Sequence, residues 1–180
     1  ITMAQWKFDP PHSSAEFSVR HLGVAWVRGR FIKMSGMADF ELDNPEAGSV
    51  EVSIDAASIN TGDEKRDNHL RSADFFDVAR ESVITFKSTS VKKGEGAQYE
   101  VIGDLTMRGI TKSVALALTF FGSGEIPSGE GVAETRAGFA ARTTLNRHDF
   151  GISWDMPVTK GVTMVGGEVD VTLNVEAIKQ

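Results

Sequence analysis

Cysteine is absent from the 180 residues, and with it go disulfides, thiolate nucleophiles and zinc–sulfur centres. A chain without thiols is at ease in either redox environment, so that absence leaves the compartment open. Cations are in the minority: Lys+Arg number 19 against 25 Asp+Glu, a formal charge of −6. Nucleic-acid binders draw their affinity from basic side chains on phosphates, so this balance argues against that class of partner. It also argues against standing attachment to an anionic membrane surface. No run of about 18 apolar residues occurs, so no segment reads as a spanning helix and no stable membrane insertion is expected. The start, Ile1 to Trp6, has neither the basic opening nor the apolar run of a signal peptide. The chain is expected to be cytoplasmic if Met3 is the native start, and periplasmic if a leader has been removed.

What is present is ordinary for a globular chain: 41% apolar and 24% charged residues, in a length that suits one domain over 1–180. The dominant pattern is alternation. Val169, Val171, Leu173 and Val175 share one face while Asp170, Thr172, Asn174 and Glu176 share the other. The same period runs through Val50–Ile54, Val101–Met107 and Val114–Phe120, and through the pairs Phe17/Val19 and Ile84/Phe86. Strands dry on one face only indicate an all-β, antiparallel protein that must cover that face. Folding over a second sheet, as in a sandwich, or closure into a barrel of about eight strands would do so, and closure also removes the sheet edges. At about 3.3 Å per residue, Val24 to Leu42 would extend roughly 60 Å as one strand. Its apolar parity also changes, so a bend is expected near Gly29 or Gly36.

One segment breaks the β pattern. Thr61-Gly62-Asp63-Glu64 has the form of a capping box, and polar helix formers follow, giving a short helical insertion over about 61–73. Gly122 to Gly131 reads as a Gly/Ser-rich loop open to partner contacts. The four histidines, His12, His21, His69 and His148, show no metal-binding spacing, and no nucleophile elbow accompanies them, so neither a metal site nor a catalytic triad is expected. Arginines stand beside aromatics at Trp26 to Phe31 and at Asn146 to Gly151, where they could close turns or hold the head group of a ligand. Phe 11 and Trp 3 against Tyr 1 is a bias toward rings with little polar character, suited equally to a filled core and to a lipid-shaped cavity.

These segments resemble, in order, the YceI-like family of polyisoprenoid-binding proteins. The residues that carry the likeness are Phe8 to Ser13, Phe17 to Gly23, Val27 to Phe31, Ala57 to Gly62, Arg66 to Asp77, Ile84 to Ser88, Gly103 to Lys112 and Asn146 to Gly151. Departures are small: Glu81-Ser82-Val83 where relatives often carry proline, and His148 where serine is common. The resemblance implies an extended lipocalin-like barrel whose apolar lumen takes an isoprenoid or related amphiphile: a polyprenyl phosphate, a quinone such as ubiquinone, or a fatty amide. Storage or transport of that lipid is the expected role, with homodimers common among relatives and no catalytic residue, metal or required cofactor.

On that footing, Phe17, Val19, Leu70, Phe75, Phe76, Phe86, Leu105, Phe139, Phe150 and Trp154 are the expected lumen residues. The head group is assigned to a set drawn from His21, Arg28, Arg66, His69 and Arg147. Arg66 to Leu70 serves equally well as a structural motif docking the insertion onto the barrel. Two other readings share the fold: an enzyme using His21 or His69 as acid or base on an apolar substrate, and a structural barrel with a filled lumen.

Overall fold

The computed structural model describes residues 2–127, 129, 131 and 133–180. In chain order the strands are β1 (Gln5–Phe8), β2 (Ser14–His21), β3 (Ala25–Phe31), β4 (Met34–Glu41), β5 (Asn44–Asp55), β6 (Ile59–Asn60) and, after helix α1 (Glu64–Arg71), β7 (Val83–Lys93). There follow β8 (Gln98–Met107), β9 (Ile110–Pro127), β10 (Ala133–Asn146), β11 (Pro157–Thr159), β12 (Val162–Thr163) and β13 (Val165–Lys179). Neighbours pair antiparallel in the order β1-β4-β5-β7-β8-β9-β10-β13, and β13 returns to β1 through Phe8↔Ala177. That pairing closes an eight-stranded barrel and covers the dry face that the alternation predicts. Its inward positions, among them Val52, Phe86, Val101, Leu116 and Ala141, are buried, while the intervening polar residues face solvent.

The barrel forks at one end. The first half of β13 pairs with β2, and β2 with β3, so this hairpin continues the line of β1 and β4 beyond the ring. The break expected in the Val24 to Leu42 run falls between β3 and β4, at Ile32 and Lys33, rather than at either glycine. There the Ile32 N–H donates to Ser58 O and the Lys33 N–H to Ser58 Oγ at 3.0 Å, while Lys33 O accepts from Asp55 N–H. The 3-10 turn Ala56–Ser58 thus wedges the strands apart, sending β3 to β6 and leaving β4 on β5. The parity change expected between Val27 and Met34 is this break. Gly29 and Gly36 serve packing instead, since a Cβ at Gly29 would lie 2.5 Å from Phe17 Cζ, and one at Gly36 2.5 Å from the Phe8 ring. Each glycine is the seat of a cross-strand phenylalanine.

Helix α1 is capped two residues on from the expected box. Asp63, not Thr61, is the N-cap, its carboxylate accepting from Arg66 N–H at 2.8 Å. Thr61 instead donates twice, from N and Oγ1, to the buried Asp67 at 2.9 and 2.6 Å. The insertion plugs the forked end: Phe31 meets Phe76 edge-on at 5.5 Å and Phe17 at 5.8 Å, while Phe75 is buried beside Trp154 at 5.4 Å. Arg108, at the β8–β9 turn with φ 52°, ties this plug together by donating to Ala73 O at 2.7 Å and to Gly151 O. The Gly122 to Gly131 stretch is not all loop, since β9 runs through Gly122 to Pro127; Ser128 and Glu130 lie outside the described residues.

Candidate ligand cavity

At the end away from α1 the barrel interior is not filled. A cavity of about 120 Å³ lies there, walled at mid-barrel by Phe8, Met34, Phe86 and Leu116, and toward the end by Leu42, Val91, Phe120 and Phe139. Aromatic rings make up much of the wall. Phe40 stacks on the fully buried Trp6 at 4.9 Å and 13°, and meets Phe139 edge-on at 5.6 Å; Phe139 in turn lies 5.2 Å from Phe120. Trp6 is held by its own Nε1–H, which donates to Phe40 O at 3.1 Å.

Among the described residues, no Lys, Arg, His, Asp or Glu lines this space; its polar lining residues are Ser49 and Tyr99, and Ser49, paired with Asp39, has the outward parity of β5. Such a lining offers a guest buried apolar area and little else, about 25 cal/mol per Å² before ordering costs. Apolar cavities of roughly 150 Å³ stay dry and take benzene-sized guests. At 120 Å³ the space fits one narrow segment of a chain, and a longer tail needs Phe86, Phe120 or Phe139 to turn.

The expected lumen residues divide between the two ends. Phe86 and Phe139 line the cavity. Phe17, Leu70, Phe76, Leu105 and Trp154 pack half-buried against the core, Val19 sits half-buried on β2 opposite Val27, and Phe75 and Phe150 are buried; none of these borders the cavity.

The expected head-group residues lie outside the cavity lining as well. Arg147 is buried and donates to four main-chain carbonyls: Gly166, Ile152 and Trp154 at 2.8–2.9 Å and Val165 at 3.2 Å. Burial pushes its pKa below the usual arginine value, and Asp155 at 3.7 Å offsets part of that. Arg66 donates to Thr61 Oγ1 and O, and His69 Nε2 lies 2.8 Å from Asp74 Oδ2, edge-on to Phe75 and Trp154. Arg28 is exposed on β3 opposite Ser18, and His21 stands at the β2–β3 turn opposite Ala25.

Sequence reasoning did not single out Phe40, Tyr99 or Ser49 for the site. Phe40 and Phe120 were visible as members of alternating runs, and Tyr99 precedes Val101 by the same period. These positions belong to no motif, whereas the plugged end is crowded with them.

A second cluster sits on the outer wall. Asp9, His12 and Glu176 bring three potential ligand atoms within 4.8 Å of one another, but Arg136 already supplies the cation. It donates to Asp9 Oδ2 at 2.9 Å, to Glu134 Oε2 at 2.7 Å and to Glu176 Oε1. The His12 hydrogen bond, with Arg136 beside it, holds the Asp9 carboxyl below its ordinary value; the same bond to Asp9 and the charge of Glu176 raise His12.

The model of the YceI-like domain matches residues 6–177. The chain belongs to the YceI-like family. A UPF0312 protein of Ectopseudomonas mendocina is 41% identical over 170 residues, covering 94% of this chain and 83% of the relative. Among solved structures, BcnA of Burkholderia cenocepacia superposes with a TM-score of 0.80 at 23% identity, covering 94% of this chain and 98% of BcnA. A polyisoprenoid binding domain from Saccharophagus degradans, implicated in plant cell wall breakdown, gives 0.74 at 17% identity, covering 99% of each. At those identities the two structures speak for the YceI-like fold. Among the described residues no helix is long and apolar enough to cross a membrane.

Proposed function

We propose that this YceI-like barrel binds a long-chain isoprenoid or related amphiphilic lipid and acts as its carrier or reservoir. The observation that carries the reading is the cavity itself: an apolar, aromatic-walled space inside a closed barrel, with no charged side chain on its lining among the described residues. A prenyl or acyl chain has neither donors nor acceptors along its length, and such a wall asks for none. The family, together with a structural neighbour named for polyisoprenoid binding, supports the same class of guest. Polyprenyl phosphates, quinones and fatty amides are the head-group variants within it, and a homodimer is the proposed assembly.

Binding without catalysis is the reading favoured here. Among the described residues, the His–carboxylate pair beside an aromatic cluster is His69–Asp74, and it belongs to the plugged end, apart from the cavity lining.

Native mass spectrometry of the purified chain, followed by denaturation and lipid identification, tests this. An intact species of several hundred daltons with an isoprenoid or quinone fragmentation pattern is expected. A protein that carries no lipid and takes up neither added prenols, polyprenyl phosphates nor quinones has a filled lumen, and the reading falls.

A further inference from the structure

The acidic balance of the chain is not evenly spread. Residues 17–31 and 156–167 hold none of its 25 aspartates and glutamates, yet carry Arg20, Arg28, Arg30 and Lys160. The fold brings these two segments to one place. The β2–β3 turn is closed by the Val24 N–H donating to His21 O at 3.1 Å. The ladder of β2 with β13 is carried one step further by the Leu22 N–H, which donates to Met164 O at 3.0 Å. The Met164 N–H in turn donates to Met156 O at 3.1 Å, where the β11–β12 hairpin leaves. Two hairpin tips therefore project side by side from the forked end of the barrel.

Both tips carry apolar side chains into solvent: Val24 is 80% exposed, Met156 50%, Val158 48% and Trp26 40%. Arg20 lies over the Trp26 ring, its Cζ 4.2 Å from the centroid, which sets a cation on an exposed indole. The carboxylates nearest in sequence and across the ladder are engaged. Glu16, opposite Arg30, accepts from Ser14 Oγ at 2.9 Å, and Asp170, opposite Ser18, from Thr144 Oγ1 at 2.8 Å. Asp155 accepts from the N–H groups of Met156, Met164 and Val165. The ion pairs among the described residues lie elsewhere, and none includes Arg20, Arg28 or Lys160.

Exposed aliphatic side chains gathered at one end mark an interaction site. A folded partner needs a face or groove of matching shape, and two projecting tips offer neither. A bilayer interface needs no matching shape. Aliphatic tips enter the acyl boundary, an indole rests at headgroup depth, and free cations meet lipid phosphates. We propose that the forked end docks reversibly on an anionic phospholipid bilayer. Val24, Met156 and Val158 enter the interface, and Arg20, Arg28 and Lys160 face the headgroup phosphates. The formal charge of −6 is carried by the rest of the chain. Screening limits its reach to about 8–10 Å in ordinary salt, so the local field decides. This end is the plugged one, away from the cavity, and the docking does not depend on what the cavity holds.

The test is flotation of the full chain with vesicles free of prenyl lipid, one set of phosphatidylcholine alone and one with about a third phosphatidylglycerol. Partition is expected to be roughly tenfold or more stronger on the anionic set and to fall as salt is raised. A blue shift of tryptophan emission that Trp26→Phe removes is expected with it. Val24→Asp/Val158→Asp and Arg28→Gln/Lys160→Gln are each expected to weaken partition by roughly tenfold. All four positions are exposed, so thermal melting should show both variants folded. Lys87→Gln/Lys92→Gln, which removes two cations from β7, is expected to bind as wild type. Wild type that stays in the aqueous fraction with both vesicle sets overturns the proposal and leaves the tips to a protein partner. Equal partition on the two sets, undiminished binding in either tip variant, or an equal loss in the β7 variant overturns it as well. Geranylgeraniol uptake without vesicles reads the lumen separately and is expected to be unchanged in the tip variants, so neither reading falls with the other.

Discussion

Val50 and Ser88 face each other where β5 and β7 part company, the Val50 N–H donating to Ser88 Oγ at 2.8 Å in place of a ladder carbonyl. A side chain thus satisfies a main-chain donor that the split would otherwise orphan. Ser88→Ala removes that acceptor and is expected to cost about 1–2 kcal/mol in urea denaturation. It is also expected to quicken hydrogen exchange at the Val50 amide specifically. An unchanged rate at Val50 would show that the seam is held by something other than this bond.

Trp6 stacks on Phe40 and donates to its carbonyl from full burial, so one residue fixes both the ring and the strand behind the cavity wall. Trp6→Phe keeps most of the apolar volume but strands the Phe40 carbonyl. An unfolding free energy lower by about 1–3 kcal/mol is expected. Lipid uptake is expected to weaken as well, since Phe40 lines the cavity. Equilibrium denaturation and a ligand titration on the same variant check both parts.

The ion cluster on the outer wall gives a pH dependence with two limbs of opposite sign. Asp9 has a folded pKa lowered below its ordinary 3.8, so its contribution is present above that value and is lost as pH falls through the folded one. His12 has a folded pKa raised above its ordinary 6.5, so its contribution is full below 6.5 and is lost as pH rises through the folded value. Melting temperature is therefore expected to fall on both sides of mildly acidic pH. Asp9→Asn should flatten both limbs, because Asp9 is the shared partner; His12→Ala should remove the alkaline limb and shrink the acid one as well, since its hydrogen bond is the largest influence lowering Asp9 and only Arg136 then remains. Because His12 is well exposed, its limb is shallow and should shrink further in high salt.

The strands were legible in the sequence because burial on one face writes itself as period two: Val169 to Val175 and Val114 to Phe120 fall in β13 and β9 as their alternation demands. The break in the Val24 to Leu42 run was legible too, through the parity change between Val27 and Met34. Its position was not, because the wedge at Ile32 and Lys33 comes from Ser58, a residue distant in sequence. The cavity was harder still. A phenylalanine reads the same whether it walls a space, as Phe139 does, or plugs one, as Phe75 does; which it does depends on the neighbours brought by closure. Arginines mislead in a similar way. Arg147 looks like a free cation in the sequence because its partners are main-chain carbonyls, which every residue has.

Those carbonyls set the behaviour of two arginine variants apart. Arg147→Ala leaves four acceptors without their donor in a buried place, and a loss of about 3–5 kcal/mol is expected. Arg28→Ala touches an exposed side chain on the outer face of β3, away from the cavity lining, and is expected to leave stability within about 0.5 kcal/mol. Its affinity for prenyl lipid is expected to stay that of wild type. A large loss of lipid binding in well-folded Arg28→Ala would return the head group to the β2–β3 end.

Ala141 is buried on β10, opposite Leu118 and Leu173, and borders the cavity. A leucine there projects into existing space rather than into packed atoms, so Ala141→Leu fills the cavity with branched apolar volume. Overpacking ordinarily costs about 1–3 kcal/mol, but a void of about 120 Å³ accepts the added methyl and methylene groups, which then bury apolar area of their own. Stability is expected to hold or to rise by about 1 kcal/mol. The same side chain takes up space a lipid tail in the cavity would fill, so lipid uptake should fall by roughly tenfold or more even as the protein grows more stable. That opposition separates a ligand cavity from a packing defect. In a packing defect the variant stabilises and nothing else changes; in a ligand site, stability and binding move in opposite directions. Thermal melting of wild type and Ala141→Leu, each with and without geranylgeraniol, reads both at once: the added lipid should raise the wild-type midpoint and leave the variant's where it was.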